Sequence, residues 1–282
     1  MIIDKREIWA ADSDGKVRIS IGFLEKGHRW RRDEVKDIAR EWEDACPCIS
    51  FKWTSDIDNC DVRISFNGNI SCSEIGTSAS DDSDGDHPTM SLGYTSDYAS
   101  RKRHILHEFG HMLGAEHEHC SPEFPWEFQK KEVIKSSERD VRSKHSSWSP
   151  TKVKNEAKAW AQNNVFKKLD AKYLICSDFD DKSIMLYPMK ADWLKDNPDD
   201  PLPEDLEENY HLSHDDRKYM RKAYNCRVSR PDSADPRPQP LPQPAPYIQP
   251  GPVPYPGGGV FGGMPDWWQA RWGGPYGGPK VN

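Results

Sequence analysis

The feature that most constrains this chain is a run of histidines and acids that begins at His107. His111 lies four residues later, so on an α-helix the two imidazoles share one face and can bind one metal ion. Gly114 can adopt the left-handed conformation that ends a helix, and the turn then brings His117 towards the same ion. Three imidazoles with a vacant fourth position are typical of catalytic zinc, whereas structural zinc has four protein ligands. The spacing therefore predicts a Zn²⁺ site formed by these three histidines.

Glu108, which directly follows the first histidine, is the predicted general base. Beside the metal it can accept a proton from water, whose pKa zinc lowers from 15.7 to about 7. The alternative is a histidine-rich amphipathic helix without metal. Five residues at set offsets occur by chance in a chain of this length with a frequency of ~10⁻⁴, which favours the metal site.

These five residues fill every position of the motif His-Glu-x-x-His-x-x-Gly-x-x-His, which resembles that of the metzincin metalloproteases. Glu118, after the third histidine, resembles the astacin branch. The segment 183–187, Ser-Ile-Met-Leu-Tyr, resembles the astacin Met-turn Ser-x-Met-His-Tyr, with Leu186 in place of histidine. The resemblance implies that Met185 forms a hydrophobic floor under the metal. It also implies that Tyr187 is a switchable ligand that stabilises the oxyanion.

Hydrophobic periodicity predicts an α/β (α+β) fold. Residues 16–23 alternate as in a half-buried strand, and residues 33–45 have the spacing of an amphipathic helix. Further strands are predicted at 49–53, 62–66 and 89–94, and further helices near 127–136, 152–163 and 215–224. The resemblance implies a zincin, metzincin-like fold, in which a twisted mixed sheet carries the active-site helix and a smaller, irregular C-terminal subdomain follows.

The resemblance also implies how the substrate and the cysteines are arranged. A substrate chain would run antiparallel to an edge strand at 89–93, by strand addition. A disulfide would join Cys48 to Cys226, whereas Cys72 has no partner just before the active helix for a second bridge. Astacins bury a freed N-terminus against the glutamate after the third histidine. Since only about eight residues precede the matched region, Glu118 is expected to pair with another group.

Composition divides the chain after residue 230, where 14 of the 23 prolines and 10 of the 19 glycines lie. Such a segment is typical of a disordered spacer, although a partner for it is a second interpretation. We therefore expect an N-terminal segment at 1–15, a metallopeptidase catalytic domain at 16–228 with a subdomain boundary near 119–120, and a Pro/Gly-rich disordered tail at 229–282. The acidic loop 81–86 is interpreted as solvated rather than as a calcium site.

Charge and hydropathy exclude several classes of protein. The net charge of -7 argues against nucleic-acid binding, and no apolar run approaches the ~20 residues of a membrane helix. No signal-peptide core is present, which favours the cytoplasm by default, whereas seven cysteines keep an extracellular location open. His104 and His119 are predicted to be surface residues rather than further metal ligands.

The predicted function is a zinc-dependent metalloendopeptidase that acts on proteins or peptides. Two alternatives remain. One is a metal-stabilised interaction scaffold that presents the Pro/Gly-rich tail, and the other is a non-proteolytic zinc amidohydrolase acting on a small molecule.

Overall fold

The structure, a computed structural model, describes residues 1–68, 70–80, 87–196, 201 and 205–226. The acidic loop 81–86 and the tail 229–282 lie outside these residues. The helices are α1 (Arg29–Ala45), α2 (Tyr98–Met112), α3 (Lys130–Lys144), α4 (Pro150–Asn164) and α5 (His214–Ala223). The strands are β1 (Ile2–Asp4), β2 (Val17–Phe23), β3 (Ile49–Thr54), β4 (Val62–Ser65), β5 (Cys72–Ser73), β6 (Met90–Ser91), β7 (Ala115–Glu116), β8 (Leu174–Cys176), β9 (Met189–Lys190) and β10 (Asp205–Leu206).

A five-stranded mixed sheet in the order β3-β2-β4-β6-β5 forms the front half. Its strands are parallel except β5, which pairs antiparallel with β6. Helix α1 buries Val35, Ile38 and Trp42 in the core, and the indole Nε1 of Trp42 donates a 2.9 Å hydrogen bond to the carbonyl of Leu106 on α2. The sheet, α1 and α2 therefore share one core, which confirms the predicted α/β class.

The edge of this sheet differs from the expectation. Residues 89–94 contain only the two-residue strand β6, and β5 covers it with the register Cys72↔Ser91. The edge strand is therefore β5, and the assignment of the edge to 89–93 was wrong. Periodicity could not predict β5, because a two-residue strand is too short to show an alternation of apolar and polar residues.

Two helices begin elsewhere than predicted, because tertiary contacts set their ends. Helix α1 starts four residues before residue 33, where Arg31 in its first turn stacks 4.2 Å from the Phe66 ring and donates a hydrogen bond to the Leu92 carbonyl. Helix α3 starts at residue 130 rather than near 127, because Phe128 forms a β-bridge with Leu194.

The first residues of the chain pack inside the fold. Strand β1 is the central strand of a three-stranded antiparallel sheet in the order β7-β1-β8. Ile2 and Ile3 are fully buried. Residues 1–15 therefore do not stand ahead of the domain as a separate segment. The sequence did not predict β1, because the three apolar residues at positions 1–3 are too few to indicate a strand.

A second apolar cluster lies under the C-terminal half. It is formed by Phe124, Trp126, Phe128, Val133, Ala161, Val165, Leu186, Met189, Trp193, Leu194 and Leu206. Helices α3 and α4 pack on it, so this half has its own small core. Among the described residues, no helix combines the length and the apolar character that crossing a membrane requires.

The disulfide Cys48–Cys226 is present, as the resemblance implies. It ties the end of α5 to the start of β3 across a sequence separation of 178 residues. Cys72 is a free, buried thiol. The described residues therefore contain no second bridge of the family type.

Candidate metal centre

Helix α2 carries the first two histidines and ends where the chain must turn. The Asp97 side chain caps the start of α2 by accepting a hydrogen bond from the Ser100 amide. Gly114 has φ +87° and its amide donates a 2.8 Å hydrogen bond to the His111 carbonyl, which closes the last turn. Strand β7 follows at once and pairs with β1, and this pairing directs His117 back towards the helix.

The three histidines converge on one point. The Nε2 atom of His117 lies 3.2 Å from Nε2 of His107 and 3.1 Å from Nε2 of His111. The other ring nitrogens of the two helical histidines donate hydrogen bonds to backbone carbonyls, His107 Nδ1 to Ile184 at 2.9 Å and His111 Nδ1 to Ala115 at 2.8 Å. These bonds place the proton on Nδ1 and leave Nε2 as a lone pair.

This arrangement fits a metal ion. Zinc with Zn–N bonds of about 2.0–2.1 Å brings ligand nitrogens to about 3.3 Å from each other, close to the spacings of 3.2 Å and 3.1 Å found here. Burial also lowers the pKa of all three imidazoles, that of His111 to about 4, which keeps them neutral as ligands must be. The three histidines form a group that could hold a metal ion.

Glu108 lies on α2 beside this group with 5 % of its surface exposed. Its Oε2 atom is buried and has no hydrogen-bond partner in the described structure. Burial raises the pKa of the carboxyl to about 8, while the charge of Arg103 opposes that rise. A buried carboxyl without a partner is costly, and such groups are concentrated at functional sites.

The segment 183–187 forms a turn beneath the histidines. Met185 is fully buried, and its sulfur packs so closely against Gly110 of α2 that a side chain there would collide with it. The Met185 carbonyl accepts a 3.0 Å hydrogen bond from the amide of Glu118. The methionine is thus held between α2 and the residue that follows the third histidine.

Tyr187 lies against the same histidines. Its ring centroid is 4.0 Å from that of His117 and 5.9 Å from that of His107. Burial raises the pKa of its phenol, so the hydroxyl is protonated at neutral pH and available as a donor. Leu186, which replaces the family's histidine, is fully buried in the C-terminal cluster.

Glu118 pairs with the amino group of Met1, contrary to the expectation that it would find another partner. The Oε2 atom lies 2.7 Å from the amino nitrogen, and both groups are fully buried. Strand β1 makes this contact possible, because its pairing with β7 brings residue 1 next to residue 118. The sequence did not show that contact, because it depends on the strand that was missed.

Three further residues belong to the site and were missed. Asp216 on α5 accepts hydrogen bonds from the Ser183 hydroxyl at 2.7 Å and the Ile184 amide at 2.8 Å, so it holds the turn under the histidines. Arg103 is 6 % exposed and its Nε has no hydrogen-bond partner in the described structure. His119, predicted at the surface, is fully buried with its ring 5.3 Å from that of Tyr187. Only Arg103, one turn before His107, had a helical spacing that could have revealed it.

Comparison with solved structures places this fold among known proteins. A structure of myroilysin is 24 % identical and has a TM-score of 0.65, over 81 % of this chain and 100 % of that chain. A crystal structure of myroilysin is 25 % identical with a TM-score of 0.51, over 77 % and 86 %. High choriolytic enzyme 1, a hatching enzyme zinc-protease from the medaka fish Oryzias latipes, is 20 % identical with a TM-score of 0.52, over 79 % and 96 %.

No protein-family model matches the chain, and no curated protein matches it. The fold is that of the astacin-like metzincins, which confirms the predicted zincin architecture.

Proposed function

We propose that this astacin-like chain is a zinc-dependent metalloendopeptidase. The observation that carries the proposal is the convergence of three Nε2 atoms beside a buried, unpartnered carboxyl. His107, His111 and His117 would hold the ion. When bound, zinc supplies a Lewis acid that polarises the scissile carbonyl and acidifies water.

Glu108 is the general base in this proposal. Its Oε2 has no competing hydrogen bond, so it is free to accept the proton of the attacking water. The resulting carboxylic acid then donates that proton to the nitrogen of the leaving amine.

Tyr187 stabilises the oxyanion in this proposal. Its hydroxyl is protonated, and its ring lies against His117, so it can donate a hydrogen bond to the oxygen on which charge develops. Met185 contributes no polar group and instead packs under the site against Gly110.

The substrate would bind along β5. This strand is the edge of the five-stranded sheet and contacts α2, so a peptide added to it passes the metal centre. Strand addition uses backbone hydrogen bonds and therefore suits extended protein segments rather than a small amide. This favours proteolysis over the alternative of a small-molecule amidohydrolase. A scaffold would gain nothing from burying Glu108 without a partner, which costs folding free energy.

The test is the substitution Glu108→Gln in the zinc-loaded protein, with hydrolysis of casein or gelatin as the assay. The variant keeps the histidines and the volume of the side chain but cannot accept a proton. We expect unchanged zinc content and a loss of activity of about 10²–10⁴-fold. Glu123→Gln, at an exposed position, is the matched control and keeps full activity. Equal hydrolysis by the wild type and Glu108→Gln would refute the assignment.

A further inference from the structure

Three cysteines meet at the end of the molecule where α1 and α5 both terminate. Cys46 follows α1, Cys48 precedes β3, and Cys226 follows α5. The Sγ atoms of Cys46 and Cys48 are 3.7 Å apart, and the three sulfurs all lie within 4.8 Å of one another. Two of them form the disulfide Cys48–Cys226, which leaves Cys46 as a free thiol against it. We call these residues the sulfur cluster.

The environment of Cys46 argues against a reactive thiol. The residue is fully buried. Burial raises the pKa of its thiol to about 12, while the nearby Arg221 opposes the rise. At neutral pH the thiolate that would attack a disulfide is therefore scarce. Attack on the neighbouring disulfide therefore does not explain why Cys46 lies so close to the other two sulfurs.

We propose that, once the Cys48–Cys226 disulfide is reduced, Cys46, Cys48 and Cys226 form a second metal site, a thiolate site for a soft divalent ion such as Zn²⁺ or Cd²⁺. Reduction requires a dithiol, which gives two electrons and two protons to the disulfide and becomes a disulfide itself. The ion then displaces three thiol protons and binds three sulfurs.

The spacing of the sulfurs matches such a site. With Zn–S bonds of about 2.3 Å, tetrahedral ligands lie about 3.8 Å apart. Cys46 and Cys48 already have this spacing, at 3.7 Å. Only Cys226 must withdraw from its bonded partner, and it follows α5 rather than lying inside a helix or a strand.

The charges also match. Three thiolates around a divalent ion leave one negative charge, and the guanidinium of Arg221 lies beside the cluster, where its Nη1 donates a 3.2 Å hydrogen bond to the Ala45 carbonyl. Cys48 and Cys226 are only partly buried, so a solvent molecule can take a fourth position.

The site would keep α5 tied down in a reducing environment. Helix α5 carries Asp216, which holds the Ser183 hydroxyl and the Ile184 amide beneath the histidines. The disulfide fastens the end of this helix to β3 when oxidised, and the metal would fasten it when reduced. This inference is independent of the proposed protease activity.

The experiment uses the full chain and Cd²⁺ as the probe, before and after reduction by a dithiol that is removed under inert gas before the ion is added. Thiolate ligands give Cd²⁺ an ultraviolet charge-transfer band that imidazole ligands do not give, so the three-histidine site stays silent. We expect the reduced wild type to bind one more Cd²⁺ than the oxidised protein and to show the band. Cys46→Ala weakens this binding by about a hundredfold or more, whereas Cys60→Ser, at another buried free thiol, leaves it unchanged.

Thermal unfolding of the reduced proteins distinguishes a folded site from thiols of the unfolded chain. The added ion should raise the midpoint of the reduced wild type and not that of Cys46→Ala. The proposal is overturned by a missing band, by a band of equal affinity in Cys46→Ala, by loss of the band in Cys60→Ser, or by binding that leaves the wild-type midpoint unchanged.

Discussion

Single residues at the candidate centre combine function with a cost in stability. Glu108 and Arg103 are both more than nine-tenths buried, and each has a polar atom without a hydrogen-bond partner in the described structure. Arg103 has one ion pair, to Glu208 at 3.8 Å, which is too long for a hydrogen bond. A buried guanidinium whose N–H groups lack acceptors destabilises a fold. We therefore expect Arg103 to have a functional role, which is to lower the pKa of Glu108.

The substitution Arg103→Met tests both the cost in stability and the effect on the pKa of Glu108. An apolar side chain of similar length removes a buried charge whose one ion pair is long, and we expect the free energy of unfolding to rise by about 1–3 kcal/mol in denaturant titration. The guanidinium lowers the pKa of Glu108. Without it that pKa rises, less carboxylate exists at a given pH, and the acidic limb of the kcat/KM profile shifts to higher pH.

Arg139→Met, at an exposed position of α3, is the control and should change neither quantity. A pH profile of Arg103→Met that coincides with that of the wild type would show that the guanidinium does not act on Glu108.

At the scale of elements, α5 supports the centre without touching the histidines. A capping box starts the helix at Ser213, and the Asp216 carboxylate of that box also accepts bonds from residues 183 and 184. The same side chain therefore caps the start of one element and holds the shape of another. Periodicity predicted α5 to within one residue at each end, because its apolar face and cap are local signals. The contact with the turn was unpredictable, because nothing local links residue 216 to residue 183.

Asp216→Asn should weaken this support. An amide keeps one oxygen but turns an NH₂ towards an amide or hydroxyl that now lacks an acceptor. We expect a loss of about 2–3 kcal/mol in the free energy of unfolding and a lower kcat, measured by denaturant titration and peptide hydrolysis. Asp215→Asn, one residue earlier and partly exposed, should cost less than about 1 kcal/mol. Equal losses in the two variants would contradict the role given to Asp216.

For the whole molecule, the motif predicted the convergence of the three histidines better than periodicity predicted the short strands. The helix of His107 and His111, its end at Gly114 and the return of His117 all follow from spacing and one left-handed residue. Strands β1 and β5 did not follow, because short strands acquire their identity from partners that lie far away in sequence. The burial of Glu118 against Met1 was not predicted either, because that contact depends on β1.

Because the proposed ligands come from α2 and from the chain beyond β7, metal binding should stabilise the whole fold. At a free ion concentration a thousandfold above Kd, a site that exists only in the folded state adds about 4 kcal/mol. We expect zinc to raise the melting midpoint of the chelator-treated protein by roughly 10 °C. His117→Ala should abolish the shift, whereas His87→Ala, outside the centre, should preserve it. An undiminished shift in His117→Ala would exclude this histidine as a ligand.

The central position of β1 in its sheet dictates when the centre can be completed during synthesis. Residues 2–4 are synthesised well before their neighbours, which are residues 115–116 on one side and 174–176 on the other. Strand β1 must therefore wait until residue 176 has emerged before both of its partner strands are present. Such distant pairings fold slowly, so a nascent chain stopped before residue 174 should hold the histidine helix without a finished pocket.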